Sequence, residues 1–152
     1  MIITFCGHSD FKDDGACEES LLNFLESKVG EKSAEFYLGG YGEFDSFAYR
    51  CCKKYKAAHP RVSLVLITPY MTVEYQRNHL AYQKDKYDDI VYPEIEDKPK
   101  KFAISYRNKW MVDKADCVVA YIRHRFGGAY QTYKHAIKQG KVWLNLACIG
   151  ES

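Results

Sequence analysis

The stretch AEFYLGGYGEFDSFAYRCCKKY, residues 34–55, decides how this chain is read. Residues 34–38 form a short run apolar on both faces, the mark of a buried parallel strand. The glycine-rich GGYGEFD of residues 39–45 follows directly and opens into a helix. From there Phe44, Phe47, Ala48, Cys51 and Tyr55 recur at the i, i+3, i+4, i+7 spacing of an amphipathic helix.

The same order repeats on either side. Residues 2–6, 62–67, 117–122 and 142–147 read as further buried strands. Residues 18–29, 102–114 and 129–138 read as helices, with Gly140 as the stop of the last. Strands alternating with helices call for an α/β, three-layer Rossmann-like fold: a parallel sheet of at least five strands with helices on both faces. Right-handed crossovers then put every strand-to-helix turn on the carboxyl edge of the sheet, where such folds bind ligands. Residues 69–101 are the irregular part, with a polar piece at 74–84 that can form a helix, the acidic run Tyr87–Asp88–Asp89, and Pro93 and Pro99. An excursion of this length after the third strand reads as a lid or pocket wall, so residues 1–152 are expected to form a single domain.

Composition excludes several classes. The 22 basic and 20 acidic residues leave a net charge of +2, which speaks against nucleic acid as a partner, because neutralising phosphates needs a concentrated basic face. The opening MIITFCGHSDF has no basic region followed by a long apolar one, and no apolar run approaches the roughly 18 residues of a membrane span. A cytoplasmic protein without a membrane partner is expected. Cys6, Cys17, Cys51, Cys52, Cys117 and Cys148 show no CxxC spacing and read as reduced, mostly buried thiols. His8, His59, His79, His124 and His135 form no ligand pair beside a cysteine pair, so no metal is expected, and no cofactor.

Three turns on the carboxyl edge carry the chemistry. The first strand ends in Gly7-His8-Ser9, where glycine permits a tight turn and serine offers a hydroxyl. The second ends in Gly39, Gly40 and Gly42 and the third motif in Gly127 and Gly128; both run into helices whose free amides and dipole suit an anion. Neither is a dinucleotide fingerprint or a P-loop. Together they describe a phosphate or phosphosugar cradle. Glu43 and Asp45 are the carboxylates on that edge. Three roles stay open for Asp45: first-turn charge, ribose ligand or catalytic carboxylate. Arg107, early in its helix, is a candidate for phosphate, with Arg123 and Arg125 next in line. Asn108 reads as facing away or capping a loop, and Tyr70, Tyr75, Tyr82 and Tyr92 offer rings for packing or for a nucleobase.

These motifs resemble the SLOG superfamily, the Rossmann-like fold shared by DprA/Smf and Lonely Guy proteins. FCGHS (5–9) resembles the FCGSS opening of Lonely Guy-type phosphoribohydrolases, and YLGGYGEFDSFA (37–48) their second glycine-rich motif. SYRNKWMVDKADCVVAYIRHRFGG (105–128) is similar to the segment leading to their PGGxGTxxE motif. An even closer likeness is to the small YpsA-like SLOG proteins of Firmicutes and their phages, which share the EFD after the second strand and the RN…M.D.AD pattern. The resemblance implies that Arg107 holds substrate and that Gly127 and Gly128 are the paired glycines. After them the pattern departs: Tyr130 stands at the third glycine, Gln131 at the threonine and Lys134 at the glutamate that carries hydrolysis. An oxocarbenium-like transition state needs a carboxylate there, and a lysine repels it. The expectation is therefore a module that binds a nucleotide or nucleotide-derived signal, as sensor or sequestering protein, and forms a homodimer or higher homo-oligomer. The alternative is an N-glycoside hydrolase or transferase using Asp45 or Glu43.

Overall fold

The computed structural model describes residues 1–13 and 15–148. Their backbone forms one six-stranded, fully parallel sheet. Its strands are β1 (Ile2–Gly7), β2 (Ala34–Leu38), β3 (Val62–Ile67), β4 (Asp89–Val91), β5 (Cys117–Tyr121) and β6 (Val142–Asn145), in the order β4-β3-β2-β1-β5-β6. β5 is buried at every position, which is why its residues are continuously apolar instead of alternating.

Two helices cover each face. Against one pack α1 (Cys17–Lys28) and α2 (Glu43–Ala58), whose Leu21, Leu25, Phe44 and Phe47 meet Phe5 and Phe36 of the strands. Against the other pack α4 (Ala103–Lys114) and α5 (Gly128–Lys138), where Val112 and Ala136 meet Val118 and Ala120. Fully burying such a side chain contributes about 1.5–3 kcal/mol, so the two apolar layers hold the sheet without bridges. Cys6, Cys17, Cys51, Cys52 and Cys117 are buried and form no disulfide among the described residues, and burial pushes the thiols of Cys6 and Cys51 up to about 12. The side chain of Cys148 and residues 149–152 lie outside the described residues. No helix among the described residues is long and apolar enough to cross a membrane.

Two details differ from the sequence expectation. Besides the helical piece, which forms α3 (Val73–Asn78), the excursion holds a 3-10 turn at Leu80–Tyr82 and β4, which extends the sheet beyond β3. Asp88 docks this edge: its carboxylate accepts from the Leu64 amide at 2.7 Å and pairs with Lys56, while its own amide donates to the Leu64 carbonyl. At the other edge β6 stops at Asn145. Its Oδ1 accepts from the amides of Ile122 and Ala147 and its Nδ2 donates to the Ile122 carbonyl, replacing the next rungs of the ladder by side-chain bonds. Residues 146–148 then form a 3-10 turn.

Candidate functional site

Strand order reverses between β1 and β5, and a cleft of about 450 Å³ opens at their carboxyl ends. Such a switch point is where chain segments diverge above and below the sheet and leave a crevice. Of the residues expected from sequence, Gly7, His8, Ser9, Asp45, Arg107, Gly127 and Gly128 line it. Gly39 and Gly40 line a neighbouring pocket of about 240 Å³, on the side of the excursion. Gly42 caps α2 against Ser9, whose carbonyl takes the Glu43 amide, and the Glu43 side chain is exposed outside the cleft. Lys134 also lies outside, with its ammonium 5.4 Å from the Tyr130 ring centre.

Arg107 is almost fully buried, at 3% exposure. Its Nη1 donates to the carbonyls of Gly39 (3.0 Å) and Ile67 (2.8 Å), tying the ends of β2 and β3 together. Nε donates to Asn108 Oδ1 at 2.9 Å, so Asn108, which also lines the cleft, does not face away as expected: it orients the guanidinium. Nη2 has no acceptor among the described residues. The balancing charge is Asp45. Its Oδ2 accepts from the Tyr41 amide at 2.9 Å, and burial raises the carboxyl to about 6 against the opposing pull of that bond and of Arg107. Gly39 lets the two charges approach: a Cβ there would lie 3.1 Å from Asp45 Oδ2 and 3.3 Å from Arg107 Cζ.

His8 has one ring nitrogen engaged. Its Nε2 accepts from the amides of Arg123 (3.0 Å) and His124 (3.4 Å), which fixes the neutral form and the path of the loop leading to α5. Burial lowers its pKa in the same sense. The ring stacks on His124 at 3.6 Å and His124 on Phe126 at 3.9 Å. Within this stack His124 Nδ1 is buried without a partner among the described residues. Beyond it begins α5, capped by no side chain, so the first-turn amides from Gly128 onward have no acceptor within the helix and stand beside the cleft.

Sequence reasoning missed the aromatic rim. Tyr41 and Phe126, 70% and 67% exposed, both line the cleft. The available signal was a large ring inside a run of glycines, in GGYG and in FGG. The tyrosines of the excursion stand elsewhere: Tyr75 and Tyr82 line the smaller pocket, and Tyr70 packs on Tyr75 at 5.1 Å. Asp10 and Thr132 also line the cleft unannounced.

An open-edged parallel sheet with its cleft at the switch point defines a Rossmann-like α/β protein, the class seen in the solved structures that the chain resembles. DNA processing protein A (DprA) of Streptococcus pneumoniae superposes with a TM-score of 0.64 at 15% identity, covering 97% of this chain and 53% of that one. DprA of Helicobacter pylori, described for its single-stranded DNA binding mode, gives 0.61 at 16%, covering 94% and 63%. The protein TM1055 gives 0.57 at 15%, covering 93% and 71%. The chain thus spans between half and two thirds of the two DprA proteins, and the likeness shows a shared fold. No family model and no curated protein matches the chain by sequence.

One expectation is overturned. Nucleic acid was set aside on net charge, yet the fold is shared with a DprA that binds single-stranded DNA. The physical error lies in averaging: residues 98–114 alone hold the exposed Lys98, Lys100, Lys101, Lys109 and Lys114 against the one carboxylate of Asp113. A chain close to neutral overall can still present a basic face.

Proposed function

We propose that the cleft between β1 and β5 binds a nucleotide or nucleotide-derived small molecule, as a SLOG-type sensing or sequestering module nearest in kind to the YpsA-like proteins. The reading rests on one convergence: the open N-terminus of α5 and Arg107 Nη2 meet in a cleft rimmed by Tyr41 and Phe126. Helix amides and a guanidinium suit phosphate, and exposed rings suit a base. The unpartnered His124 Nδ1 adds a polar contact for the same ligand.

Calorimetric titration of AMP and adenosine tests this. A Cβ at Gly128 meets nothing within 4 Å, so Gly128→Val keeps the fold and intrudes on the cleft mouth. AMP should bind the wild type more tightly than adenosine, and the variant at least ~10-fold more weakly. Equal AMP affinities in both proteins would remove the cleft from consideration.

A second reading is favoured by Asp45, a cleft carboxyl raised to about 6 and so suited to proton transfer near neutrality. In that case the protein releases base from nucleoside monophosphates. Chromatography of AMP incubated with stoichiometric protein separates the two: adenine that appears with wild type and not with Asp45→Asn establishes the hydrolase, and intact AMP supports binding alone.

A further inference from the structure

Three rings stand in one column between the end of β1 and the mouth of the cleft. His8 stacks on His124 at 3.6 Å and 13°, and His124 on Phe126 at 3.9 Å and 19°. The inner end of the column is tied to the backbone. The His8 amide donates to the Tyr121 carbonyl at 3.3 Å, which pins the residue to β5. Its buried ring then receives at Nε2 the amides of both Arg123 and His124, at 3.0 and 3.4 Å. The loop after β5 thus leans on one imidazole nitrogen.

Two donors on one acceptor define what that ring can do. A nitrogen that accepts carries no proton, so the ring is neutral with its proton on Nδ1. A second proton can go only to Nε2. There it would confront two N–H groups aimed at the same point, donor against donors. Proton uptake at His8 and the observed path of the loop therefore exclude each other. Among the surrounding groups Asp10 favours the proton, while burial and the neighbouring His124 oppose it and hold the His8 pKa below its ordinary 6.5. Lys12, Asp13, Tyr121 and Arg123 line a pocket of about 400 Å³ with the two histidines, and Asp45 and Arg107 line the cleft with them. The loop matters for what it carries: Phe126 stands on the rim of the cleft, and Gly127 leads into the first-turn amides of α5.

We propose that His8 is a positioning residue and a proton switch for the cleft. Neutral, it holds both amides and so keeps Phe126 and the α5 N-terminus in place for a nucleotide. Protonated, it lets residues 123–127 go, and the cleft loses its ligand in mildly acid solution. The consequence for the ligand rests on the cleft reading; the latch itself does not.

The Arg123 and His124 amide resonances of a nitrogen-15-labelled chain, followed without ligand from pH 8 to pH 5, test the latch. Both should move along one curve with a midpoint below 6.5, since a histidine held neutral by the fold stabilises the closed loop above that value and loses it below. In the wild type the His8 Nε2 should be unprotonated at pH 7.5 and gain its proton on the same curve. In His8→Gln the side-chain carbonyl accepts from the amides without titrating, and both resonances should stay in place. In His124→Phe, which keeps a ring in the column, the Arg123 amide should still move. Calorimetry with AMP tests the consequence. About one unit below the ordinary value roughly ten of eleven free imidazoles are charged, so from pH 7.5 to pH 5.5 the wild type should lose roughly 3- to 10-fold more affinity than His8→Gln, which shares the titration of AMP and of Asp45. Amides that do not titrate, amides that titrate equally in His8→Gln, an Nε2 already protonated at pH 7.5, or equal pH profiles of AMP affinity in the two proteins would each overturn the proposal. AMP bound at no pH would remove the cleft reading and the switch's consequence with it, and the amide and ring titrations would then decide the latch.

Discussion

Asp45 and Arg107 show how far single residues could be read. Their presence on the carboxyl edge followed from a glycine turn and a helix position; their partnership did not, because residues 45 and 107 are joined only by the crossing of α4 over the ends of β2 and β3. The pair makes two predictions. Asp45 has an ordinary value of 3.8 and a value of about 6 in the fold, the pull of Arg107 included. Between these the folded chain holds the proton and the unfolded chain does not, so stability falls as pH rises from about 4 to about 6 and stays lower above. Asp45→Asn removes this loss. It should stabilise the protein at pH 7.5 by on the order of 2–3 kcal/mol and leave it unchanged at pH 3.5. Urea unfolding at both values checks it, and a variant no more stable at pH 7.5 refutes it. Arg107→Ala should instead destabilise by about 3–5 kcal/mol, since it strands two carbonyls and the Asp45 charge. Arg107→Lys recovers only part, having one ammonium where the fork had two bonded nitrogens. Ligand affinity in these variants is therefore to be measured only where they remain folded.

Helices and long strands were legible because their periods are written in side chains. The Phe44, Phe47, Ala48, Cys51 and Tyr55 stripe is the buried side of α2. What lacked a period was not legible: β4 is three residues long, and β6 ends early because Asn145 bonds backbone with its side chain. Gly7 was read as a turn that admits a ligand, and in the structure it also seats α2. A Cβ at Gly7 would collide with Phe44 Cγ and Cδ2, and the neighbouring Phe11 and Tyr121 leave that ring little room to move. Gly7→Ala should then cost about 1–3 kcal/mol by overpacking, and Phe44→Leu in the same chain should recover part of it. A double-mutant cycle by denaturant unfolding measures this coupling. Additive costs would mean that the two elements are not in the close contact described.

At the scale of the whole molecule, alternation of strands and helices announced a parallel sheet, whereas strand order is a property of chain crossings that no local pattern records. It is the order that creates the cleft, by turning the chain away in opposite directions from β1 and β5. Charge behaves the same way: the total of +2 hides the lysines gathered along α4. The glycine amides of a nitrogen-15-labelled chain offer the most direct test of the cleft, since they sample both edges of the sheet. Gly7 and Gly128 lie at the carboxyl edge in the cleft, while Gly30 and Gly140 lie at the amino edge, before β2 and β6. On titration with AMP, the resonances of Gly7 and Gly128 should shift together along one saturating curve while those of Gly30 and Gly140 stay in place. Shifts confined to the amino edge, or none at millimolar AMP, would contradict a nucleotide site between β1 and β5.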